Sequence, residues 1–204
     1  YGFDMLAALL LGADRQGRVW VVREYCRSGL VLGAAAEEVA QLCRGYRVEY
    51  LVASPDLWNR RQDTGRSGFE IMQAVPGIPP MQPADNRRIP GWRVLREYLQ
   101  VTPDGPRLRI SRDCRTLCDS LPALLCDASR PEDASDEPHA VTHAPEALRY
   151  ALMSLSLSQK LDETMTTPHR LLLSFCNTDE VFVVASQQPG KVGKASLYGL
   201  INGP

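Results

Sequence analysis

Apolar residues open the chain as a nearly unbroken run at 2–11, interrupted by the acid Asp4. A polar ADRQG follows at 13–17, then a second run, VWVVREYC, at 19–26. Two such runs around a short turn predict a β-hairpin that begins a sheet. After the connector SGLVLG (28–33), AAAEEVAQLCRGY (34–46) sets Val39, Leu42 and Cys43 at helical spacing, with Gly45 as the stop. Aromatic and β-branched residues from Val48 to Ala53 suit a buried strand. Pro55 cannot donate to a ladder, so that strand ends before it.

Residues 67–75 predict a short helix halted by Pro76 and Gly77, and 78–86 cross back as a short edge strand and turn. RIPGWRVLREYLQ (88–100) places Trp92, Leu95 and Leu99 on one helical face. Pro103 and the Asp104-Gly105 pair turn the chain into RLRI (107–110), a short strand. SRDCRTLCDSLPALL (111–125) predicts a helix with Ser111 as N-cap and Pro122 as a late kink or end. DASRPEDASDEP (127–138) is acidic and poor in apolar residues, and is expected to be a mobile loop. Helical spacing returns at Ala144, Leu148, Ala151 and Leu155, and Pro145 confines the helix start to residues 142–145. LLLSFC and VFVVAS (171–176 and 181–186) predict a hairpin around NTDE, followed by a Gly-rich basic tail. Strands separated by helices after an opening hairpin give an α/β fold with a mixed sheet.

Composition narrows the function classes. The 204 residues carry a net charge of −1, which excludes a broadly basic protein but leaves room for a local basic groove. The lysines are Lys160, Lys191 and Lys194, so the cations are mostly arginine, from codon bias or for forked phosphate contacts. Cysteines at 26, 43, 114, 118, 126 and 176 form no CxxC pair, which argues against zinc and for burial as small apolar residues. No apolar run is long enough for a membrane span, and no secretory pattern opens the chain. Its start on a core strand leads us to expect a piece of a longer protein.

The stretch EYLVASPDLWNRRQDTGRSG (49–68) holds the first candidate chemistry. Asp56 follows the carboxyl end of a strand, where working side chains of open α/β sheets collect. Arg60, Arg61 and Arg66 come within ten residues of it. An acid beside several guanidinium groups suits a cation site next to a phosphate-binding surface; the alternative is a solvated loop with a surface ion pair. Asp4, among Phe3, Met5 and Leu6, is costly to bury unless paired or bound to a cation; alternatively it faces solvent near a strand end. Glu146 falls in a first helical turn, where the dipole favours a negative charge, and His143 can share its side.

Four blocks, YGFD, SPDLWNRRQDTGRS, PADNRRIPGWRVLREYL and HAPEALRYAL, resemble in order and spacing the nuclease domain of tailed-phage large terminase subunits. That domain belongs to the ribonuclease H-like superfamily, and the resemblance spans roughly residues 1–152. It implies a ribonuclease H-like mixed sheet flanked by helices over residues 1–155, with 156–204 as a C-terminal extension. It also implies that Asp4, Asp56 and Glu146 bind metal, with His143 ligating, orienting a carboxylate, shuttling a proton or simply capping its helix. Two Mg²⁺ or Mn²⁺ ions ~4 Å apart would activate water and stabilise the leaving oxygen. Arg60, Arg61, Arg66, Arg87 and Arg88 are the expected contacts to the DNA backbone. The chain departs from the family pattern in three ways: Glu146 replaces an Asp, Thr142 stands where an Asp often precedes the histidine, and MLAALLL directly follows Asp4 where a Gly-containing loop is expected.

The resemblance thus implies an endonuclease that trims concatemeric double-stranded DNA at the procapsid packaging motor, in the cytoplasm of an infected bacterium. Its partners would be an upstream ATPase domain of the same protein, the portal and the small terminase subunit. No GxxxxGK[ST] occurs in the sequence, so the chain is expected to cut DNA and not to translocate it. The alternatives are another ribonuclease H-like nuclease, of resolvase or mobile-element type, and a non-catalytic module that grips DNA or docks on a portal.

Overall fold

The computed structural model describes residues 5–14, 16–62, 64–162, 170–176 and 184–186, with side chains described through Leu155. Asp4 therefore lies outside the described residues, and the first strand, β1 (Leu6–Ala13), begins two residues after it. All eight residues of β1 are buried, which requires cover on both faces of the sheet and explains why the run is apolar without alternation. Each of its leucines contributes roughly 1.5–3 kcal/mol by leaving water. Strand β2 (Val19–Arg27) returns antiparallel to it. Asp14 shapes the turn, its Oδ1 accepting from the backbone N–H of Gln16 at 3.0 Å and of Arg18 at 2.9 Å, with Gly17 at φ 73°.

Helix α1 (Leu32–Cys43) leads through Gly45, at φ 86°, into β3 (Arg47–Ala53). Helix α2 (Gly68–Gln73) starts at a reciprocal capping box between Ser67 and Glu70. Strand β4 (Met81–Pro83) pairs parallel to β3, and α3 (Arg88–Leu99) follows it. A two-residue ribbon, β5 (Val101–Thr102) with β6 (Gly105–Pro106), precedes β7 (Leu108–Ile110), which pairs parallel to β2. Helix α4 (Arg115–Ala123) is not capped by Ser111 as the sequence suggests. Glu24 of β2 does that work, accepting from the N–H of Thr116 at 2.6 Å and of Leu117 at 2.9 Å, a carboxylate on a helix amino end. The thiols of Cys26 and Cys43 are pushed up to about 12 by burial, which leaves them unreactive.

Helix α5 (His143–Asp162) packs on β1, β3 and β8 (Arg170–Cys176) and against α3 and α4. The division expected at residue 155 thus falls inside α5. Strand β8 is an interior strand, antiparallel to β1 and parallel to β3, and it also pairs antiparallel with β9 (Val184–Ser186) at Leu172 and Val184. The main sheet runs β4-β3-β9-β8-β1-β2-β7, with β3 and β8 also paired directly, a mixed sheet flanked by helices in an α/β fold. Among the described residues no helix is long and apolar enough to cross a membrane.

Because β8 lies between β1 and β3, a chain ending at Asp162 leaves two strand edges unpaired. We expect such a truncation to lose its cooperative thermal transition by circular dichroism. A melt within a few degrees of the parent would show that β8 is dispensable.

Candidate functional site at the carboxyl ends of β3 and β4

Strand β3 ends at Ala53, and buried Ser54 turns the chain into a single 3-10 turn, Pro55–Trp58, that lifts Asp56 into solvent. The Ser54 hydroxyl donates to Asp56 Oδ2 at 3.2 Å, and Asn59 Nδ2 donates to Oδ1 at 3.4 Å. Among the described residues no cation pairs with this carboxylate. Beyond it, Arg60 and Ser67 form an isolated antiparallel bridge. Arg60, Arg61 and Arg66 are exposed there, Arg60 lying 3.8 Å from Glu70 and Arg66 donating to the Glu70 carbonyl at 3.4 Å.

The neighbouring strand brings a second acid to the same rim. Ala84 N–H donates to Ala53 O at 2.6 Å, carrying the β3–β4 pairing up to Asp85. Arg87 forks onto Asp85, with Nε 2.9 Å from Oδ1 and Nη2 2.5 Å from Oδ2. That hydrogen-bonded guanidinium holds the Asp85 carboxyl below its usual range, against an opposing push from burial.

A third acid, Glu146, is buried among arginines. Its Oε1 accepts from Arg88 Nη1 at 2.8 Å, and its Oε2 accepts from Arg149 Nε at 2.7 Å and from Arg149 Nη2. Arg149 is 1% exposed, lies over the rings of Trp92 and Tyr150, and donates to Arg87 O at 3.1 Å. Arg88 also reaches Asp133 Oδ1 at 2.9 Å, Ala134 O at 2.8 Å and Asp136 at 3.0 Å. Burial works against the Arg88 charge, but Glu146, Asp133 and Asp136 together raise its affinity for the proton. Asp133 is 1% exposed and takes the Trp92 indole N–H on Oδ1 at 2.9 Å; its Oδ2 accepts no hydrogen bond and has Arg130 at 3.5 Å. The segment 127–138 is exposed over most of its length, as its composition suggests, but it also delivers one buried carboxylate, Asp133, to α3.

His143, the first residue of α5, is buried with its ring edge-on to His139, centroids 4.6 Å apart. Of the arginines expected to touch DNA, Arg60, Arg61, Arg66 and Arg87 are exposed, whereas Arg88 is turned inward onto acids. The resemblance implies a cage for two divalent ions, and the described donor set does not fit one. Both Glu146 oxygens are engaged by guanidinium groups, and among the described residues no group of three His, Cys, Asp or Glu side chains could hold a metal ion. Compared with protein-family models, curated proteins and solved structures, the chain matches none.

Sequence reasoning passed over Asp85, Arg149 and Asp133. The first two sit inside the PADNRRIPGW and ALRY blocks, where their neighbours drew attention instead. Asp133 had one available signal: Trp92 on a buried helix face needs an acceptor for its indole N–H.

Two outcomes test this geometry. A Cβ at Gly91 would lie 2.7 Å from Arg149 Cγ and 2.8 Å from Cδ and Nη1. Gly91→Ala should therefore destabilise by about 1–3 kcal/mol in urea titration, although Gly→Ala in an open helix stabilises by about 0.8–1 kcal/mol. A gain in stability would show that Arg149 is not packed there. Asp85 has a depressed folded-state pKa, so its contribution is full above about pH 4, the unfolded value, and is lost as pH falls through the folded value. Asp85→Asn should accordingly melt lower than the parent at pH 7, with the gap closing on acidification; a gap that does not change with pH would rule out the Arg87 pairing as its source.

Proposed function

We propose that this chain is a ribonuclease H-like endonuclease module of a tailed-phage packaging terminase, cutting double-stranded DNA at the rim beyond β3 and β4. One observation carries the reading. The PADNRRIPGW and HAPEALRY blocks, far apart in sequence, interlock: Gly91 leaves room for Arg149, Trp92 and Tyr150 take its charge on their ring faces, and Arg88 meets Glu146. Residues that depend on one another physically are poor candidates for chance matches. The SPDLWNRRQDTGRS block follows its strand at this rim, where Asp56 has no cation partner among the described residues and three exposed arginines come after it. Those arginines suit sequence-tolerant, salt-dependent contacts to phosphate. An ATPase domain of the same protein, the portal and the small terminase subunit are the partners this reading brings with it.

Asp56 is the acid on which cutting rests among the described carboxylates, because Asp85 and Glu146 already have guanidinium partners. The engagement of Glu146 favours a second reading, a module that grips DNA without cutting it. Plasmid nicking in Mg²⁺ or Mn²⁺ separates the two. The parent should cut, and Asp56→Ala should lose at least about a hundredfold while its melting midpoint stays within the small range of exposed substitutions. Equal cutting by the variant removes Asp56 from the chemistry. A parent that binds DNA in a salt-dependent manner and never nicks it is the gripping module.

A further inference from the structure

We infer that Glu146 is the buried counter-ion that fastens α5 to α3 and is not a ligand for a divalent ion. Three guanidinium N–H groups from two arginines converge on its oxygens. A hard cation on either oxygen would sit beside two fixed positive charges inside the protein, where like charges repel most strongly. Neither arginine is free to withdraw. Arg149 is wedged against Gly91, covered by Trp92 and Tyr150, and tied to Arg87 O. Arg88 is held by Asp133, Asp136 and the Ala134 carbonyl. Releasing Glu146 to a metal would leave the Arg149 charge buried with no carboxylate in contact among the described residues. This assignment does not depend on whether the protein cuts DNA, and its test reads no activity.

The two roles give opposite signs. In a carboxylate cage without metal, neighbouring acids repel, so neutralising one raises the melting midpoint. A counter-ion to two guanidinium groups has the reverse effect. For the full chain in EDTA, Glu146→Gln should lower the midpoint by about 10 °C. Calorimetric titration with Mn²⁺ should give the variant the parent's affinity within about twofold. An unchanged or raised midpoint in EDTA, or a Mn²⁺ affinity weakened tenfold or more, overturns the inference; if the parent takes up no Mn²⁺, the midpoint alone decides. Should Glu146→Gln fail to fold, Glu146→Leu with Arg149→Met removes both charges together and should restore a cooperative melt. Mn²⁺ binding by the parent that this refolded pair lacks would equally overturn the assignment.

Discussion

A guanidinium taken out of water needs a carboxylate partner; Arg149 finds Glu146 within α5, and Arg88 of α3, sharing that carboxylate, joins the two helices. Arg149 is among the largest fully buried side chains of the molecule. Leaving such a charge unpaired costs roughly 3–5 kcal/mol, a large share of a domain's net stability. Glu146 one turn earlier supplies the charge, Arg87 O takes a further N–H, and two aromatic faces fill the remaining space. Since Arg87 directly precedes α3 and Asp85 lies two residues after β4, the same contacts fix where β4 delivers its end. Helix, strand end and turn therefore share one cluster of charges in addition to their apolar packing.

That cluster also divides the acids of the rim. Strands β3, β4 and β8 run the same way, and antiparallel β1 begins at the end where they finish, with Ala7 opposite Cys176. One end of the sheet thus gathers the turns where an open α/β sheet does its chemistry. Asp85 and Glu146 reach that end already neutralised by Arg87, Arg88 and Arg149. Asp56 reaches it on an exposed 3-10 turn with a hydroxyl and an amide for company. Exposed guanidinium groups at Arg60, Arg61 and Arg66 follow Asp56 in the chain, and of these three acids it is the one with no guanidinium on its carboxylate among the described residues.

Legibility in the sequence followed the range of the forces involved. Helix α3, with Trp92 and Leu95 facing inward, and the hairpin of β1 and β2 were plain because period and turn chemistry act over a few residues. The end of β3 before Pro55 was plain for the same reason. The cap on α4 was not, since Glu24 reaches it from a strand some ninety residues earlier. Composition was right that most of 127–138 is exposed, but it could not single out Asp133, whose burial is compensated by Arg88 and Trp92 from another element. The interior place of β8 was equally hidden: LLLSFC announces a strand but not which neighbours it pairs with. For the candidate site, Asp56 and its arginines could be found from the strand end alone. The state of Glu146 could not, because its partners are set by how two helices meet.

This bears on how far a motif resemblance extends. The residues that make the PADNRRIPGW and ALRY blocks recognisable are the ones that build the α3–α5 junction: a glycine with no room for a side chain, an indole and a phenol around a buried guanidinium, and an acid to balance it. Such residues are constrained by folding whatever chemistry the rim performs, so their presence speaks first for the architecture. A carboxylate on an exposed turn at a strand end is under no such constraint, and a fold can carry or lose it with small effect on its stability. Asp56 is such a residue: its carboxylate meets the Ser54 hydroxyl and the Asn59 amide within its own turn and takes no part in the α3–α5 junction.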